Sequence, residues 1–167
     1  AQPPLPVDHF RIHPPHDPND FNVYSVLDQV IATVTGGDFT LVNMSYGPDV
    51  CVEEDVEPDR WTSELDQLAY EKNVLFVVAA GNNGEVNVVA GADRVQAPSD
   101  MANGLAVGSC TAASPDKPWE RAPYSAVGPG RPGNRVQPAV VQFGGIDTAP
   151  FPVLTTSGQL LSNCGTS

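Results

Sequence analysis

The chain has 167 residues, 41% apolar and 17% charged, which is enough apolar surface for a packed core and too much for a wholly disordered chain. Its length suits one domain of about 100–200 residues. Eight Lys and Arg stand against twenty Asp and Glu, a net charge of −12, which opposes binding to nucleic acid or to an anionic membrane surface.

The first element is a Pro-rich segment, residues 1–20. Six prolines fall within residues 1–18, and each fixes φ and removes a backbone donor, so an extended path is expected. This start has neither the basic nor the apolar region of a signal peptide. His9, His13 and His16 lie here; Pro14 and Pro15 prevent a regular helix from aligning them on a metal, and they read as a solvated tail. Residues 21–167 then read as one folded unit. Val23, Val26, Leu27, Val30, Ile31 and Val34 recur at helical spacing, with Asn19 or Asp20 as the cap and Gly36-Gly37 as the stop. A strand over 39–44 follows.

Residues 48–59 form an acidic loop holding Asp49, Glu53, Glu54, Asp55, Glu57 and Asp59. It reads first as a solvated insertion; Ca²⁺ binding, the one cofactor it suggests, and attraction of basic substrate residues are the alternatives. A second helix is expected over about 59–72, with Trp61, Leu65, Leu68 and Ala69 on one face. The continuous apolar run 74–80 predicts a strand buried on both faces, as in a parallel sheet. Leu105-Ala106-Val107 and 136–143 supply two more strands. Helix and strand alternate, so the fold class is α/β with a mostly parallel sheet. No run reaches the roughly 18 apolar residues of a membrane-spanning helix. Cys51, Cys110 and Cys164 are odd in number and form no CxxC pair, which points toward a reduced, cytoplasmic setting without assigning a compartment.

Three short segments carry chemistry. Ala79-Ala80-Gly81-Asn82-Asn83-Gly84 ends the apolar strand, where open α/β sheets hold their ligands; read alone, it is first a strand-to-turn transition. Leu41 to Pro48 is a strand with a small-polar end, able to pair its backbone with an extended peptide. Gly165-Thr166-Ser167 offers a serine that is nucleophilic only if a base activates it.

In this order, the three resemble the subtilisin-like serine proteases, or subtilases. The family's substrate strand reads much like Val42-Asn43-Met44-Ser45-Tyr46-Gly47, its oxyanion segment like Ala79 to Gly84, and its nucleophile motif like Gly165-Thr166-Ser167. Ala97-Pro98-Ser99 before Gly104 to Gly108, the turn Tyr124 to Pro129 (family pattern Phe-Ser-Ser-x-Gly-Pro) and the stretch Val136 to Gly145 agree in register. The resemblance covers roughly residues 23–167. It implies a three-layer subtilisin-like domain, incomplete in this chain, and an endopeptidase acting through an acyl-enzyme. Ser167 would attack the scissile carbonyl and Asn82 would donate to the oxyanion. Ser45, Tyr46 and Gly47 would bind the substrate as an added strand. Ala79, Ala80 and Gly81 would wall the pocket for the residue before the cut, and their small side chains leave room for a sizeable neutral group.

The departures are equally specific. Subtilases place their Asp in Asp-Ser-Gly or Asp-Thr-Gly and their His in His-Gly-Thr; neither motif occurs, and none of the three histidines precedes Gly. The expectation is a piece of a catalytic domain, running from after the catalytic His to the nucleophile and inactive by itself. Its partners would be a peptide or protein substrate, the N- and C-terminal remainder of the same domain, and, for the isolated piece, another copy. No metal ligand set and no cofactor are expected. The alternatives are a catalytically dead subtilase-like module that binds peptides, and an unrelated small-ligand α/β domain using Asn82-Asn83-Gly84 as its loop.

Overall fold

The computed structural model describes residues 6–53, 55–112, 119–133 and 136–166. Helix α1 spans Tyr24–Gly36, strand β1 Leu41–Met44, helix α2 Arg60–Lys72 and strand β2 Leu75–Ala79. Strands β3 (Gly104–Cys110) and β4 (Val140–Phe143) follow, then β5 (Phe151–Leu154) and β6 (Leu160–Asn163). Strands β1 to β4 form one sheet in that order, with every pair parallel; β5 and β6 form a separate antiparallel hairpin.

Local chemistry sets the helix limits. Between the two expected caps, Asp20 is the one that works: its carboxylate accepts from the backbone N–H of Tyr24 at 2.8 Å and of Ser25 at 2.9 Å. It reaches past Val23, which takes a left-handed conformation at φ 49° that β-branched residues seldom adopt. Asp59 caps α2 by accepting from the Trp61 N–H at 2.8 Å, and Asn73 ends it in the left-handed region. Both helices lay their apolar stripes on one face of the sheet. Val26, Leu27, Val30 and Val34 of α1 and Trp61, Leu65, Leu68 and Ala69 of α2 enclose Met44, Phe76 and Val78. The Trp61 indole N–H donates to the Asn22 carbonyl at 2.9 Å, so the largest core side chain leaves no orphan donor.

The apolar run of β2 is not buried on both faces. Phe76 (0% exposed) and Val78 (2%) point to the helices, whereas Leu75 is 42% exposed on the opposite face. Leu41 and Val140 share that open face and are also exposed. An apolar run therefore records a strand with two apolar faces, and the described residues cover only one of them. The expected strand 136–143 shortens to Val140–Phe143, and the β5–β6 hairpin lies where no strand is expected. No helix among the described residues is long and apolar enough to cross a membrane.

The Ser25 backbone N–H, with its hydroxyl, holds the Asp20 carboxyl below its ordinary value of 3.8. A lowered folded pKa adds stability above that value and loses it as the pH falls through the folded one. Asp20→Asn should therefore lower the melting temperature at pH 7 and flatten its decline below about pH 4, as followed by circular dichroism across a pH series.

Candidate active site

The parallel register brings the segments of interest to one edge. Asn43 pairs with Val77 and Met44 with Val78, so Ser45 leaves β1 beside Ala79, where β2 ends. Among the described residues, no backbone hydrogen bond engages Ser45, Tyr46 or Gly47, and Ser45 and Tyr46 are exposed. Facing them, Gln96 N–H donates to Ala80 O at 3.0 Å and Ala97 N–H to Val50 O at 3.0 Å. These bonds hold the 95–98 segment as the far wall of a cleft of about 800 Å³.

Ser45, Tyr46, Gly47, Ala79, Gly81 and Asn82 all line this cleft. Ala80 does not. It is fully buried in a small core with Val52, Val95 and Ala126, and supports the wall from behind. Gly81 has φ +118°, and a Cβ there would lie 2.6 Å from Asn83 Oδ1 and 2.7 Å from Gln96 Oε1. Only glycine both reaches this conformation without strain and leaves the cleft open.

Asn82 meets the other end of the chain here. Its Oδ1 accepts from the Thr166 backbone N–H at 2.9 Å and from the Thr166 hydroxyl at 3.0 Å, across 84 positions of sequence. The amide is thereby oriented with Nδ2 outward, and among the described residues Nδ2 has no partner. Ser167 itself lies outside the described residues. Its two predecessors do not: Gly165 and Thr166 are buried, and Gly165 N–H donates to Gly144 O at 3.0 Å. The Tyr124 hydroxyl fixes that turn by donating toward Gly144 O (3.0 Å) and Gly145 O (2.8 Å), and sits 2.6 Å from the Ser109 hydroxyl.

No histidine lines the cleft. Among the described residues, no group of three or more His, Cys, Asp or Glu is arranged to hold a metal. Of the acidic loop, Asp49 reaches the cleft, Asp59 is spent on capping α2, and Glu54 lies outside the described residues. Cys51 also lines the cleft; burial pushes its thiol pKa up, and Asp93 and Asp49 push it the same way, so it stays a neutral thiol. Sequence reasoning missed Gln96, and it named Asn83 only within the oxyanion segment and the alternative binding loop, without the bonds that fix it. Asn83 Nδ2 donates to Ala92 O (2.8 Å) and Arg94 O (2.7 Å), tying the loop beyond β2 to the cleft wall. The only sequence signal for it was an Asn-Gly pair, which ordinarily marks a turn.

Comparison with known proteins bears on the family and the fold. The model of the subtilase family matches residues 12–167. Similar solved structures include the patellamide maturation protease PatA, 23% identical over 84% of this chain and 43% of that one, with a TM-score of 0.58. Sphericase is 19% identical over 85% and 43%, with a TM-score of 0.55. The epidermin leader peptide processing serine protease EpiP from Staphylococcus aureus is 18% identical over 84% and 40%, with a TM-score of 0.58. The chain thus spans less than half the length of these structures, and at such identities the likeness establishes the fold. No curated protein gives a significant sequence match.

Gly81→Ala should destabilise the chain by at least about 1 kcal/mol, because the positive φ and the two amide oxygens both oppose a methyl group. Urea unfolding followed by tryptophan fluorescence measures this; an unchanged midpoint would show that the loop accommodates the methyl.

Proposed function

On the premise that the chain belongs to the subtilase family, we propose that it forms the substrate-binding and oxyanion half of a serine endopeptidase. The observation that carries this reading is the pair of bonds from Thr166 to Asn82 Oδ1, which sets an amide N–H without a partner among the described residues beside the residue preceding Ser167. In the proposed reaction, Ser167 Oγ bonds to the scissile carbonyl carbon and its proton passes to a base. The carbonyl π pair moves onto oxygen, and Asn82 Nδ2 donates to that oxyanion. Collapse breaks the C–N bond, the amine leaves with the proton, and water then hydrolyses the acyl-enzyme. The peptide backbone pairs with Ser45 to Gly47, whose N–H and C=O groups are unclaimed among the described residues. No metal or cofactor enters this scheme.

The base is the part this chain does not bring to the cleft, since no histidine lines it. We infer that Asp and His come from other segments of the same catalytic domain and that residues 1–167 alone are inactive. The full-length protein should cleave peptides and lose turnover in Ser167→Ala. Asn82→Asp keeps an acceptor for Thr166 but removes the donor, and should lower kcat by about 10²–10³ with little change in KM, the range established for this kind of donor in subtilisin itself. Residues 1–167 by themselves should show no Ser167-dependent turnover. A full-length protein that binds peptides without ever cleaving them would mark the dead, peptide-binding alternative.

The open sheet face supports a second part of the reading. Leu41, Leu75 and Val140 expose apolar surface there, which we propose the remainder of the domain covers. Isolated residues 1–167 should then self-associate, with a sedimentation coefficient that rises with concentration; a strict monomer would contradict this.

A further inference from the structure

We propose that the cleft receives a cationic side chain, lysine or arginine, of the substrate, and that Asn83 Oδ1 and Gln96 Oε1 are the acceptors that select it. The proposal rests on the peptide-binding reading above and names its substrate class.

The Asn83 amide is fixed in one orientation by its surroundings. Its Nδ2 is held by two backbone carbonyls, Ala92 O at 2.8 Å and Arg94 O at 2.7 Å, with Cys51 Sγ at 3.4 Å. A flipped amide would set oxygen against both carbonyls, so the orientation is fixed and Oδ1 is the free end. That oxygen is buried and has no hydrogen-bond partner among the described residues. A buried acceptor without a donor is uncommon and marks a place where a donor is supplied from outside. Gln96 Oε1 converges on the same point: both oxygens lie within 2.7 Å of the position a Cβ at residue 81 would take. Nothing among the described residues bonds the Gln96 amide.

Charge and shape point the same way. Asp49 lines the cleft and no Lys or Arg does. The whole chain carries −12, which draws cationic peptides toward it. Ala79, Ala97 and Pro98 give apolar walls along which a lysine or arginine stem can lie, with its N–H donors at the two amide oxygens. The small walls alone suit a neutral occupant of any kind. The acceptors at the base remove that freedom, because an aliphatic group would leave them unpaired and a carboxylate would meet oxygen lone pairs.

The test uses the full-length protein carrying Ser167→Ala, so that peptides bind without turnover. Peptides identical except for Arg, Lys, Leu or Glu before the scissile bond are titrated by calorimetry. Arg and Lys should bind at least about 10-fold tighter than Leu, with Glu weakest. Gln96→Met, which removes an acceptor while keeping the volume and breaks no bond of the fold, should shrink the Arg-over-Leu ratio to about 3-fold or less. Asn83→Leu should also abolish the preference, but it frees two backbone carbonyls, so the Gln96 variant decides if it does not fold. Leu or Glu binding as tightly as Arg, or an undiminished ratio in Gln96→Met, overturns the proposal and leaves the peptide-binding reading intact. Failure of every peptide to bind overturns both.

Discussion

Parallel pairing in a fixed register is the constraint from which the cleft follows. Because Asn43 sits opposite Val77, β1 and β2 end within one residue of each other, and their continuations leave the sheet side by side. Hydrogen bonding does not choose that register by itself. The helices do: α1 and α2 bury Met44, Phe76 and Val78, and a slip of one residue would turn these side chains to the other face. The apolar stripes of two helices thus decide where Ser45 and Asn82 stand, although neither residue touches a helix core. The same core contains Trp61, whose ring lies 6.2 Å from that of Tyr46, so the exposed end of β1 is braced on α2.

Two adjacent asparagines show how the surroundings assign opposite roles to one chemical group. Asn82 commits its oxygen to Thr166 and turns its N–H outward. Asn83 commits its N–H to Ala92 and Arg94 and leaves its oxygen unpaired. One amide thus presents a donor and the next an acceptor, separated by the polarity of the partners each has found. Gly81 makes room for the second by taking φ +118° and carrying no Cβ against Asn83 Oδ1.

The sequence was readable wherever a pattern has a single physical meaning. Helical periodicity gave α1 and α2 nearly to the residue, because their apolar stripes meet one face and Asp20, Asp59 and Asn73 close their ends. The β2 run was misread in one respect. Its apolar content implies two covered faces, and the cover for one of them is not among the described residues. The β5–β6 hairpin escaped because Pro152 and the short strands give little period-2 signal. The bonds that fix Asn83, and Gln96 altogether, escaped for a different reason. Their importance comes from tertiary placement: a turn pair and a lone glutamine acquire meaning only when residues 92–96 fold back against 80–83.

That folding back also makes the cleft walls a neighbourhood of their own. The cleft is closed by bonds within one neighbourhood: Val52 N–H to Val95 O, Gln96 N–H to Ala80 O, Ala97 N–H to Val50 O, and Ala126 N–H to Gly81 O. All lie between residues 50 and 126, and all are backbone bonds around the small core of Val52, Ala80, Val95 and Ala126. The Gly165-Thr166 segment joins this unit through Asn82 and through the Gly144 turn that Tyr124 anchors. The walls of the cleft therefore depend on contacts present in this chain, whereas the proposed reaction needs a base that the cleft lining lacks. Under the proposed reaction, a site built in this way would lose turnover before recognition, because the cleft keeps its shape as long as the 50–126 neighbourhood holds.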